Sequence, residues 1–234
     1  MLVSFSIPII PIRHVKIIIR GDIRTGKTSF FERLQGLPFR NEREYRTTKQ
    51  IQVANIPWQY PHTKDIIKVE VWDVVDKGIQ SGDLKASGGS SLKIDNNTPS
   101  SPTKAKSAQD TEVAPHAAFA LDASTIDVYR NTDGVILLYD NSKPWTIDYA
   151  ARTLADIPTN IPVLFLRNFS DDSHIKTIVP SEVVEALMNE YNAIRRRHPC
   201  SPANLIRHLN TSMKTGLGLK EIRENFEGDA QKTI

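Results

Sequence analysis

The run Gly21-Asp22-Ile23-Arg24-Thr25-Gly26-Lys27-Thr28 has the residue types and spacing of a loop that grips phosphate. Glycines at both ends let the chain wrap tightly, so that successive backbone N–H groups point into one concavity. A helix starting there adds the partial positive charge of its N-terminus. In this G-x-x-x-x-G-K-[ST] pattern Lys27 is placed to bridge the outer phosphates of a nucleoside triphosphate. The Thr28 hydroxyl is a hard oxygen ligand suited to Mg²⁺. Asp22, Ile23, Arg24, Thr25 and Ser29 complete the expected contacts of this loop. A chance glycine turn is the bland reading, and it is weakened if a strand precedes the run and a helix follows.

Two further groups fit the same ligand. Val71-Trp72-Asp73 sets a carboxylate at the end of an apolar segment, where it could hold Mg²⁺ beside Thr28. Alone, an Asp there is more often a turn former. Asn168-Phe169-Ser170-Asp171 follows the apolar VLFL, and Ser212-Met213-Lys214 follows LIRHL. A carboxylate such as Asp171 can accept two parallel hydrogen bonds from the N1–H and exocyclic amine of guanine, a pair that adenine does not offer. Asn168 and Asp171 could otherwise cap a turn.

These groups need a scaffold of strands that end on one edge. His14 to Arg20, HVKIIIR, reads as a buried strand, and Thr28 to Leu34 as a helix. Ile51–Gln59 and Asp65–Asp73 read as an antiparallel pair of strands. Buried strands are predicted at Gly134–Tyr139 and Pro162–Leu166, with a last strand at Leu205–Leu209. Helices are predicted at Leu121–Arg130, Trp145–Asp156, Ser181–Arg196 and Leu219–Phe226. The alternation implies an α/β fold with a mostly parallel six-stranded sheet and helices on both faces. About 79–119 the chain turns to Ser, Gly, Asn, Lys and Pro without periodicity, as in SGGSS and NNTPSSPTKAKS, which predicts a disordered insertion. Residues 1–13 read as a flexible lead-in and 14–230 as the domain that the insertion interrupts.

Composition narrows the partners. The 234 residues suit one domain, and a formal charge of +3 lacks the basic excess of a dedicated nucleic-acid binder. The single cysteine, Cys200, allows no intrachain disulfide and no Cys-rich zinc site, and the histidines lack metal-ligand spacing. The apolar start MLVSFSIPIIPI is shorter than the roughly 20 residues of a membrane span, and DAQKTI holds no cysteine for prenylation. No stable membrane anchor is expected, and a cytoplasmic location, with the nucleus as alternative, is the default. The basic run Arg195, Arg196, Arg197 and His198 reads as the solvated end of a helix.

In order and spacing, these motifs resemble the Ras superfamily of small GTPases, in its Rab-like branch, from about Val15 to Phe226. IQVANIPWQY and IIKVEVWDVVDKG carry the likeness most specifically. The resemblance implies a Ras-like P-loop NTPase fold, GTP or GDP with Mg²⁺ as cofactors, and protein effectors as partners. It implies that Phe39 packs on the guanine edge. It implies that Asn168, Phe169 and Asp171 read the base, with Ser212, Met213 and Lys214 behind it. Thr48, three residues after Tyr45, would join Thr28 and Asp73 at the metal, with Thr47 as the alternative. Four positions depart from the pattern. Asp76 stands at the family's glycine in switch II, and Lys77 at its water-orienting glutamine. A lysine has no acceptor with which to orient water, and the Asp76 carboxylate would be repelled by a nearby phosphate. Ile23 stands where many relatives have glycine and would crowd an incoming arginine finger. Phe169 replaces the usual lysine, leaving a ring that can still cover the purine. The expectation is a GTP-binding switch or scaffold with weak or absent hydrolysis and no confident catalytic residue. A nucleotide-free interaction module and an ATP-using P-loop enzyme are the alternatives.

Overall fold

Ile17, Ile18 and Ile19 are fully buried, with Ile17 and Ile19 packed to one side and Ile18 to the other. A strand apolar on both faces is stable only inside a sheet that is covered twice. The structure, a computed structural model, describes residues 13–41, 47–59, 66–76, 122–123, 126–171, 178–197 and 205–222. The elements are β1 (Arg13–Gly21), α1 (Lys27–Leu34), β2 (Gln52–Gln59), β3 (Ile66–Asp73) and β4 (Gly134–Asp140), then α2 (Pro144–Asp156), β5 (Val163–Asn168), α3 (Ser181–Arg197) and β6 (Arg207–Asn210). The sheet runs β2-β3-β1-β4-β5-β6, antiparallel only between β2 and β3. The predicted strands and the α/β class are therefore realised, with ends shifted by a residue or two.

On one face α1 buries Phe30, Phe31 and Leu34 against Ile17, Ile19, Val69 and Val71. On the other, Ile147, Ala150 and Leu154 of α2 and Val184 of α3 close over Ile18, Val135, Leu137 and Phe165. The 147, 150, 154 spacing is one helical stripe, and Pro144 starts α2 where its missing N–H has no role to lose. Because β1, β3, β4 and β5 run parallel, Gly21, Asp73, Asp140 and Asn168 all finish at one edge of the sheet.

The predicted helix at Leu121–Arg130 does not form among the described residues, which make turns at 128–131. The end of this segment is tied to the sheet instead. Lys16 Nζ on β1 donates to the carbonyls of Val128 and Arg130, both at 2.9 Å. The Asp127 carboxylate accepts from the Tyr129 N–H at 3.1 Å, a local bond that competes with helix formation. The last predicted helix is present from Leu219 to Ile222, and its remainder lies outside the described residues. So do the lead-in, but for its last residue, and the 79–119 insertion. None of the described helices is long and apolar enough to cross a membrane.

The basic run at the end of α3 is not wholly solvated. Arg196 and Arg197 are exposed, but Arg195 retains only 2% of its surface. Its Nη1 donates to the carbonyl of Ile161 at 2.6 Å and to that of Thr159 at 3.4 Å. One turn earlier, Asn192 Oδ1 accepts from the Ile206 N–H at 2.7 Å, and its amide returns a bond to the Ile206 carbonyl. These two side chains fix the loops entering β5 and β6. We predict that Arg195→Ala lowers unfolding free energy by roughly 2–4 kcal/mol, from lost charge-assisted bonds and stem packing, whereas Arg196→Ala stays within about 0.5 kcal/mol. Urea denaturation of both variants measures this, and equal small effects would refute the structural role.

Candidate nucleotide site

The phosphate loop turns between the end of β1 and the start of α1, as its sequence context requires. Space dictates its glycines. A Cβ on Gly21 would stand 2.6 Å from the Leu138 carbonyl oxygen, and one on Gly26, at φ 90°, would stand 2.2 Å from Asn168 Nδ2. Thr25, wholly buried, donates through Oγ1 to the Asp22 carbonyl at 2.8 Å. Its own carbonyl accepts from Asn168 Nδ2 at 2.9 Å, which ties the loop to the end of β5. Arg24 completes the turn with φ at 58°, a left-handed conformation that L side chains adopt at a cost. Lys27 folds back over the loop, its ammonium 2.6 Å from the Gly21 carbonyl and 2.9 Å from that of Asp22. Burial lowers the Lys27 pKa, with Asp73, Asp76 and Asp22 opposing.

At the start of α1, Thr28 Oγ1 donates to Asp73 Oδ2 at 2.7 Å and lies 2.8 Å from Thr48 Oγ1. Of the two threonines left open by the sequence, Thr48 makes this contact, while Thr47 is exposed. Asp73 is almost wholly buried, and burial raises its pKa against the pull of Thr28 and Lys27. An all-oxygen cluster with one carboxylate suits a hard divalent cation.

At the other end, Asn168 is buried and its Oδ1 has no hydrogen-bond partner among the described residues. Phe169 adopts φ 61°, which sends its ring over the loop, Cζ lying 3.7 Å from the Cβ position of Gly26. Asp171 keeps 16% of its side-chain surface, with Lys214 Nζ at 4.0 Å. The loops carrying these residues are joined by Ser170 N–H to the Thr211 carbonyl at 3.0 Å and by Thr211 N–H to the Arg167 carbonyl at 2.7 Å. Ser212 is wholly buried, and the Met213 side chain belongs to the core beneath α1, so Met213 offers a ligand its backbone. Phe39 is half-buried against that core. Ile23 is 62% exposed, and Ser29 is half-buried on α1.

Sequence reasoning missed a set of residues around Asp76. Its carboxylate pairs with Arg20 Nη2 at 2.8 Å and accepts from the Tyr149 hydroxyl at 3.0 Å. Arg20 also donates to the hydroxyls of Tyr149 and Tyr129, at 3.3 Å and 3.2 Å. Burial pushes the Tyr149 hydroxyl up to about 12, so it stays a neutral donor. Asp76 is thus paired locally, by partners that the sequence did not identify. Arg20, a cation directly after the apolar Ile17-Ile18-Ile19 of β1, was the available signal. Lys77 lies outside the described residues. Lys143 was also missed. It bonds Asp140 and the Arg24 carbonyl and stands over the Phe169 ring.

The sheet order, the loop between β1 and α1, and the residues gathered at the strand ends define a Ras-like α/β P-loop domain, small-GTPase-like in its architecture. No protein-family model matches the chain. The chain is nonetheless a Rab-like relative within the Ras superfamily. Over 213 residues, 91% of its length, it is 40% identical to "Rab-like protein 6" of Homo sapiens. Over the same length it is 39% identical to the protein of that name in Bos taurus and 38% identical to that in Mus musculus. The chain spans about a quarter of the length of these relatives, 25% to 26%.

Gly26 and Gly36 separate space from backbone strain, because their φ values are close, 90° and 82°, while a Cβ on Gly36 meets nothing within 4 Å. We predict that Gly36→Ala costs about 1 kcal/mol of stability and Gly26→Ala about 3 kcal/mol or more, since the second also drives a methyl into the Asn168 amide. Urea denaturation of the two variants reads the difference. Equal losses would mean that the loop is not closed against β5.

Proposed function

We propose that this domain binds a guanine nucleotide together with Mg²⁺ and hydrolyses it slowly, acting as a long-lived switch or scaffold for protein effectors. The observation that carries the reading is the convergence, at one sheet edge, of the Gly21–Thr28 cradle, the Thr28–Thr48–Asp73 oxygens and the unpartnered Asn168 Oδ1. Bound Mg²⁺ would neutralise phosphate charge there, with Thr28 and Thr48 as oxygen ligands and Asp73 holding its water.

The chain's own groups divide the remaining work. Lys27, whose ammonium bonds the carbonyls of Gly21 and Asp22, can turn its donors to phosphate oxygens, exchanging neutral acceptors for charged ones. Asn168 braces the loop through the Thr25 carbonyl while Phe169 covers one purine face and Asp171 accepts from the base edge. Asp76 is engaged by Arg20 and Tyr149, so releasing it toward a phosphate would break an ion pair and meet like charge. Among the described residues Asp76 is committed to Arg20 and Tyr149, and Lys77 by its chemistry has no acceptor with which to orient an attacking water, which supports slow turnover.

Nucleotide released by denaturing freshly purified protein, separated against GTP, GDP, ATP and ADP standards, tests the binding reading. GTP or GDP is expected; adenine nucleotide would favour an ATP-using enzyme, and an empty protein an interaction module without nucleotide. For turnover, we predict a single-turnover rate for the isolated domain at or below about 10⁻⁴ s⁻¹, near or under that of an unassisted small GTPase. Rapid-quench measurement of a rate on the order of 1 s⁻¹, the partner-stimulated range, would overturn the slow-hydrolysis reading.

A further inference from the structure

Lys143 stands where elementary electrostatics would not put a cation. It is the residue immediately before α2, at the positive end of the helix dipole, and it makes no side-chain capping bond to that helix. Its backbone has no freedom to join the helix, because the following Pro144 holds it extended, at φ −126° and ψ 92°. The side chain instead runs across the mouth of the candidate site. Its ammonium pairs with Asp140 Oδ2 at the end of β4 and donates to the Arg24 carbonyl of the phosphate loop at 3.3 Å. It also stands 5.4 Å from the centre of the Phe169 ring, within cation–π range.

Each of these partners needs holding. Arg24 and Phe169 both adopt left-handed backbone conformations, at φ 58° and 61°, which persist only when their surroundings over-determine them. Asp140, only 2% exposed, requires a counter-charge or donors, and receives Lys143 together with the N–H and hydroxyl of Ser142. One ammonium therefore connects the loop that would take the phosphates to the ring that would cover the base.

We propose that Lys143 is a positioning residue for the nucleotide, clamping the Phe169 ring to the phosphate loop so that the two ends of a guanine nucleotide are gripped as a unit. This rests on the guanine-nucleotide reading of the site. The clamp acts on how long the nucleotide stays, since a ring free to swing opens the base end first. The structural service to Asp140 is separable, because it does not pass through Phe169.

The test is the dissociation rate of a fluorescent GDP analogue from the Mg²⁺-loaded chain, in wild type, Lys143→Met, Lys143→Arg, Phe169→Leu and the Lys143→Met/Phe169→Leu double variant. Thermal melting of each protein is followed in parallel. We expect Lys143→Met to speed release about tenfold, equivalent to about 1.4 kcal/mol. Lys143→Arg should return the rate to within about twofold of wild type, because a guanidinium also stacks over a ring. In the Phe169→Leu background, Lys143→Met should add less than about twofold, the non-additivity expected of residues acting through one contact. An unchanged rate in Lys143→Met, or the same acceleration in both backgrounds, overturns the clamp while leaving guanine binding intact. A wild-type chain that takes up no GDP analogue overturns the underlying reading, and the clamp with it.

Discussion

The site depends on a missing side chain. At Gly26 the phosphate loop passes so close to the end of β5 that the Asn168 amide occupies the space of a Cβ. That contact lets Asn168 bond the Thr25 carbonyl and lets Phe169 lie over the loop, so two segments far apart in sequence become one wall. The parallel sheet makes the approach possible by ending β1, β3, β4 and β5 on the same side. Ridges of buried aliphatic residues on both faces hold those ends in register, since a slip of one residue in β1 would exchange the burial of Ile17 and Ile19 with that of Ile18.

Charge at the site is arranged in local pairs rather than as a field. Burial disfavours the charged form of both Lys27 and Asp73, and each partly restores the other. Asp76 is answered by Arg20, and Asp140 by Lys143. In each pair one partner stands on or beside a strand end and the other comes from a neighbouring segment. The acids after β3 and at the end of β4 therefore brace the segment that follows β3 and the start of α2 instead of leaving unpaired negative charge at this edge of the sheet. The same arrangement gives the Asp76 carboxylate fixed partners within the fold. An aspartate at position 76 would be unfavourable beside phosphate, but Arg20 and Tyr149 give it a place to go.

Much of this was legible in the sequence. The isoleucine run of β1, the unbroken apolar stretch of β4 and the 147, 150, 154 stripe of α2 each obey a short-range period, and local period is what sequence reports directly. The phosphate loop was legible because its chemistry is contiguous. The failures share an opposite character. The segment expected to be a helix before β4 is held instead by the Lys16 ammonium, whose 2.9 Å bond to the Val128 carbonyl joins residues 112 apart in sequence. Arg195 looked like part of the solvated end of a helix, yet its position on α3 places its guanidinium against the loop before β5. Sequence reports its charge but not the carbonyls waiting for it.

By itself, the sequence determined the layered α/β class, the strand that leads into the cradle, and the residue types able to meet phosphate, a hard cation and a purine edge. Those follow from periodicity, glycine spacing and side-chain chemistry, all of which act over a few residues. Only the tertiary structure decided that Thr48 rather than Thr47 reaches Thr28, that Met213 turns its side chain into the core, that Asp76 is neutralised by Arg20, and that Lys143 spans Arg24, Asp140 and Phe169. Each is a choice among chemically equivalent possibilities, made by which strand ends and loops the sheet order brings within hydrogen-bonding distance.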